Sequence, residues 1–278
     1  MGADFIVHRE CEAKRQLGGG DTVQGTVRML GMLKARDRAD AIAAMMAREG
    51  QDPETATIRV VVQTPQGNQE RDVTLAEMRA QAGPLEQLGG ACAECDACAL
   101  AERFGCVGYL TYPLSEALER WILARAQPAD TLGGALMRRA IRDFGYDGSA
   151  MGGWRSNPSL MERTSALTTG DGPEAISSDQ ILQAILMVGS ELDPMHGAML
   201  LLWLGALRVD GVIPGPGTAQ APSALAALSQ ASTPAQRQAL AKVELGEPSE
   251  DRGVRGFQQL LFALYVAWVL DRPLLLDA

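Results

Sequence analysis

Four of the chain's five cysteines fall within CAECDACALAERFGC, residues 92–106. Cys92, Cys95 and Cys98 recur at every third residue, and Cys106 follows a Phe104-Gly105 step. Free cysteines ordinarily scatter through a core as small hydrophobes, so this density points to a shared ligand. A CxxC turn sets two thiolates on one side of a tight loop, a bite suited to tetrahedral zinc. Cys92 and Cys95 supply that pair, and Cys106, set between Gly105 and Gly108, supplies a third ligand. The fourth place is open between neighbouring Cys98 and distant Cys11 in HRECEAK, with His8 a further option. Cys11 as ligand would let the metal tie the first strand to the cysteine segment, the way a structural metal contributes folding energy.

The rival cofactor is an iron–sulfur cluster. CxxCxxC matches part of the bacterial ferredoxin run, but seven residues separate Cys98 from Cys106 and no proline follows. The spacing therefore favours structural zinc. A catalytic zinc would need an open coordination position and a base beside it. Glu94 and Asp96 lie inside the motif and read as charged loop residues facing water.

Little else suggests chemistry. Of the two histidines, His8 adjoins a strand and His196 reads as an ordinary residue near a helix N-terminus. GYDGSAMGG at 145–153 does not meet the GxSxG spacing, and no GxxxxGK[ST] occurs. Arg138, Arg139 and Arg142 cluster on one helix, where they read first as a solvated face and second as a contact for phosphate or an acidic partner. Trp154 and Arg155, in a polar stretch, either anchor that stretch to the core or touch a partner. The expectation is a non-enzymatic protein that binds other proteins as an adaptor or accessory subunit. An iron–sulfur or thiol redox protein is the alternative, and an enzyme with residues 145–175 as a lid comes third.

The net charge of -9 is spread along the chain and carries no basic nucleic-acid footprint. Three lysines (Lys14, Lys34, Lys242) accompany 22 arginines, a skew that suggests a GC-rich bacterial genome. The N-terminus lacks a signal-peptide pattern, and the longest apolar run, Leu260 to Leu270, is too short to span a bilayer. A cytoplasmic protein is expected, in a compartment that disfavours structural disulfides.

The elements that would position these residues read as α+β: a small mixed α/β part over 1–112 with the cysteine-rich zinc-binding segment at 89–108, then a mostly helical part over 113–278. Residues 3–9 form a strand candidate. Asp21 and Gln24 resemble a capping box before one helix, and Ile42, Met45 and Met46 mark another that ends at Gly50. Ile58, Val60 and Val62 alternate as in a half-buried strand, a turn at Pro65–Asn68 follows, and Asp72–Leu75 returns. Thr74 and Glu77 then cap a short helix, giving a β-grasp-like or other α+β unit. Around the cysteines the chain reads as irregular, and 107–112 as a strand. Helices are expected at 118–125, 129–144, after Ser177, after Asp193-Pro194, after Thr233 and over 254–270, with long loops at 145–175 and 209–223. Leu274–Leu276 reads as surplus apolar surface, for the core or for another subunit.

Overall fold

The computed structural model describes residues 2–53, 57–64, 67–101, 104–111, 114–156, 168–169, 175–187, 189–210 and 221–277. In chain order the elements are β1 (Gly2–Val7), α1 (Glu12–Gly18), α2 (Thr22–Arg48), β2 (Thr57–Thr64), β3 (Gly67–Thr74), α3 (Leu75–Ala82), α4 (Pro84–Gln87), α5 (Gly89–Ala93), α6 (Asp96–Leu100), β4 (Val107–Thr111), α7 (Glu116–Arg125) and α8 (Leu132–Asp143). They continue with α9 (Ser149–Arg155), β5 (Thr168–Thr169), β6 (Ile176–Ser177), α10 (Ser178–Leu186), β7 (Glu191–Leu192), α11 (Pro194–Trp203), β8 (Leu207–Val209), α12 (Ala221–Gln230), α13 (Pro234–Leu240), β9 (Ala241–Val243), α14 (Arg252–Leu270) and β10 (Leu274–Asp277). The architecture is mixed α+β: small antiparallel sheets, strands in the N-terminal part, and a mostly helical C-terminal part.

The chain divides into two compact units, Glu10–Ala99 and a larger one made of Met1–Arg9 with Leu100–Ala278. The sequence groups β1 and β4 with the N-terminal third. In the structure both are strands of the larger unit, and the smaller unit is inserted between them in sequence.

In the smaller unit α2 is a single helix of 27 residues where the periodicity reads as two. Asp21 starts it, its carboxylate accepting from Val23 N at 2.8 Å and Gln24 N at 3.2 Å. Gly25 and Gly31 do not break it. Gly31 is exposed, while Gly25 is where α1 crosses α2: a Cβ there would lie 1.7 Å from the Lys14 carbonyl oxygen. Beyond the helix C-terminus the chain turns at Gly50, with φ 69°. The hairpin β2–β3 pairs from Thr57↔Thr74 to Thr64↔Gly67, with Pro65 and Gln66 of the expected turn outside the described residues. It is a two-stranded sheet rather than the wider sheet of a β-grasp unit. Ile58 and Val60 are half-buried and Arg59 exposed, as the alternation requires. With Val73, Leu75 and Met78 they pack against Ala39, Ile42 and Met46 of α2. Thr74 and Glu77 close the capping box of α3: Glu77 N donates to Thr74 Oγ1 at 3.1 Å, and Thr74 N donates to Glu77 Oε2 at 2.8 Å.

The larger unit is built on an antiparallel sheet of order β4-β1-β10-β7. β1 pairs with β10 from Asp4↔Asp277 to Val7↔Leu274, and with β4 from Gly2↔Thr111 to Ile6↔Val107. Leu274–Leu276, read from sequence as surplus apolar surface, is therefore a central strand. α14 covers the sheet, packing on β1, β4 and β10, with α7 and α11 beside it. Among the described residues α14 is the one helix long and apolar enough to cross a membrane, and 67% of its apolar window is buried in this unit. The predicted helix starts at Ser177, Asp193 and Thr233 all hold, each side chain accepting a backbone N–H of the first turn. The stretch 145–175 is not all loop. It contains α9 and β5, which pairs with β6 just beyond it, while residues 157–167 and 170–174 lie outside the described residues. Most of the second expected loop, at 211–220, also lies outside them, and it is flanked by β8, which pairs with β9, and by α12.

Candidate functional site

All five cysteines are buried and none is in a disulfide. Cys11, Cys92, Cys95 and Cys98 belong to the smaller unit and Cys106 to the larger. Cys11 is the N-cap residue of α1, with extended backbone and its carbonyl accepting from Arg15 N at 3.1 Å. α1 packs against α5, which carries Cys92, so the fold draws Cys11 toward the cysteine segment from 81 residues away in sequence. The segment that reads as irregular is a run of short helices. Cys92 N donates to Leu88 O at 2.9 Å, Cys95 N to Cys92 O at 3.2 Å, and Ala99 N to Cys95 O at 2.8 Å. Cys92 and Cys95 thus share one turn, as a CxxC bite needs. Glu94 and Asp96 are exposed, as the motif predicts.

In the larger unit, the turn before Cys106 bends at Phe104 rather than at Gly105. Phe104 has φ 68°, and Val107 N donates to its carbonyl at 3.0 Å. A left-handed conformation at a bulky residue costs roughly 1–2 kcal/mol, here held by a side chain only 4% exposed. Cys106 then enters β4, its carbonyl accepting from Val7 N at 2.8 Å. Among the described residues, no three His, Cys, Asp or Glu side chains converge as a ready-made metal site. Both histidines are exposed.

The larger unit also holds a buried charge cluster that the sequence does not announce. Arg155, at the end of α9, in a stretch read as either core anchor or partner contact, points inward. Its Nη2 pairs with Glu119 Oε1 of α7, and its Nε with Asp179 Oδ1 of α10 at 2.5 Å. The three side chains are 3%, 1% and 13% exposed, one positive charge between two negative ones. Burial alone would lower the guanidinium pKa, but the bonds to Asp179 and Glu119 outweigh it and hold it raised. Glu119 follows Leu118 of an apolar stripe, and Asp179 lies inside the Ser177 capping box. Neither position signals a partner 24 to 36 residues away.

The remaining expected contacts divide. Trp154 is half-buried and lines an apolar cleft. Arg138 is half-buried on α8, whereas Arg139 and Arg142 lie in solvent against Asp143, at 2.9 and 3.6 Å. Arg139 foremost, with Arg142, holds the Asp143 carboxyl below its usual range. Among the described residues five large apolar side chains are exposed: Val23 (73%), Val27 (65%) and Met45 (53%) on α2, Phe144 (73%) at the end of α8, and Met187 (38%) after α10, with Val23 and Val27 one turn apart. Compared with known proteins, the chain matches no family model, no curated protein and no solved structure.

Proposed function

We propose that the chain is a non-enzymatic bacterial cytoplasmic protein, that thiolates of the smaller unit, drawn from Cys92, Cys95, Cys98 and Cys11, bind a structural zinc ion, with Cys106 left to the larger unit, and that it acts by binding another protein as an adaptor or accessory subunit. The observation that carries the reading is the burial of every thiol, 2–9% exposed, outside any disulfide. Thiols that exchange with partners or sense oxidants are partly exposed in electropositive surroundings. Buried thiolates suit a closed structural zinc site.

Zinc loading requires the thiols of the smaller unit to rearrange, because among the described residues no ready-made metal group is formed. The short helices permit this. α5 and α6 have five residues each, too few to be stable by themselves. Metal binding and ordering of this segment are therefore coupled. The role in binding a partner rests on Val23 and Val27, which put an apolar stripe of α2 into solvent.

Metal analysis and the absorption spectrum of anaerobically purified protein test the cofactor. About one zinc per chain in a colourless sample is expected. A brown sample absorbing in the visible overturns zinc in favour of a cluster, and a fully folded chain purified without metal overturns both. Cys92→Ser and Cys95→Ser should lose zinc and stability together; either variant keeping full zinc removes that residue from the ligand set. The partner role predicts that the native chain, tagged and recovered from its own cells, carries a stoichiometric protein that the Val23→Glu, Val27→Glu variant loses. Equal recovery by both sinks it.

A further inference from the structure

The larger unit contains an apolar cleft of about 360 Å³ between its sheet and the ends of α9 and α10. Phe5 of β1 and Leu264 of α14, both 1% exposed, lie at its base, while half-buried Trp154 and Met187, 38% exposed, line it toward solvent. Among the described lining residues none is charged, and Ser190 carries the one hydroxyl. The backbone near that hydroxyl is already engaged, with Leu276 N donating to Ser190 O at 2.7 Å.

Water in such a space finds few partners. Cavities of roughly 150 Å³ lined by Leu, Ile and Phe stay dry and take up benzene. This cleft is more than twice that size and falls in the range of small-molecule sites, roughly 300–1,000 Å³. It matches a hydrocarbon of roughly 10–14 carbons on the same scale. Charge selects the head group. The chain carries -9, the described lining offers no cation, and the nearest arginine in sequence, Arg155, is committed to Glu119 and Asp179. A carboxylate or phosphate head is therefore disfavoured.

We infer that this cleft binds the aliphatic chain of a neutral, medium-length amphiphile, with its polar head left in water at the exposed Gly189–Ser190 edge. Met187, flexible and polarizable, adapts the opening to the chain that enters. The inference is independent of zinc.

The test titrates the full-length protein with 1-decanol below its solubility limit, reading tryptophan emission and the thermal midpoint. Saturable binding that raises the midpoint is expected. Trp154→Phe should abolish the emission change and keep the midpoint rise. Leu186→Trp, at a half-buried lining position, should fill the cleft and weaken binding at least tenfold; if that variant does not fold, Met187→Trp serves in its place. Absence of saturable binding overturns the inference, as does equal binding by the filled variant. A concentration-dependent dimer that the filled variant dissolves, with no decanol bound, overturns it in favour of a second copy of the chain.

Discussion

The guanidinium of Arg155 is ion-paired with the carboxylate of Glu119, and both side chains are almost wholly withdrawn from water. Asp179 completes the cluster, so three helices, α7, α9 and α10, meet at one positive charge. Arg155→Met leaves two carboxylates without their counter-charge and should cost about 3–5 kcal/mol, the range for breaking a buried pair. Glu119→Gln leaves Arg155 and Asp179 in balance and should cost less. Urea unfolding followed by far-UV circular dichroism and tryptophan emission gives both values. The reverse order would mean that charge balance is not what the cluster supplies.

Glu77 introduces a pH dependence. The Thr74 backbone N–H, and then its hydroxyl, hold the Glu77 carboxyl below its ordinary value of 4.5. A depressed native pKa contributes stability that is present above the unfolded value and lost as pH falls through the native one. Glu77→Gln keeps an acceptor for the capping box but not the charge. It should be less stable than the unaltered chain at pH 6, with the gap closing below about 4.5. Thermal midpoints across that range measure it; a gap that persists at pH 2–3 would rule out the charge as its source.

Two glycines of α2 should respond with opposite signs to the same change. At Gly31 an added Cβ meets nothing within 4 Å, so Gly31→Ala should stabilise by about 0.5–1 kcal/mol through helix propensity. At Gly25 the added Cβ runs into the Lys14 carbonyl of α1, backbone against backbone. Gly25→Ala should destabilise by about 1–3 kcal/mol or more despite the same propensity gain. Equal effects in denaturant melts would show that α1 and α2 are not locked at this crossing.

Leu274 is fully buried in β10, opposite Val7. Leu274→Ala should cost about 2–5 kcal/mol, as for other large-to-small changes in a packed core. A loss under 1 kcal/mol in the same melts would mean that β10 is a loosely added strand rather than part of the core.

Local signals were legible in the sequence where they needed only neighbouring residues. The caps at Asp21, Thr74, Ser177, Asp193 and Thr233 and the alternation at Ile58–Val60 carry their meaning within a few positions. What was not legible depends on distance. Leu274–Leu276 is apolar in any environment, and only pairing with β1 makes it a strand. Gly25 reads as a helix weakener until α1 comes within van der Waals reach. Arg155 reads as core anchor or partner contact without an assigned ion pair, because its two acidic partners lie on other helices. Of the cysteines, the shared turn of Cys92 and Cys95 is visible in the CxxC spacing, whereas the approach of Cys11 depends on how α1 packs on α5. The irregular reading of residues 89–100 failed for a simpler reason: helices of five residues give no periodicity to detect.

The strand order β4-β1-β10-β7 also orders events at the ribosome. β1 emerges well ahead of its partner β10, which lies some 267 residues later, counting from Val7 to Leu274. At about 5–20 residues per second, β1 waits on the order of ten to fifty seconds for that partner. The insert Glu10–Ala99, a compact unit, emerges whole well before then and can close while the sheet of the larger unit still lacks β10. During that interval the apolar edge of β1 is exposed to other nascent chains, so the arrival of β10 ends the window in which this edge is vulnerable to mispairing.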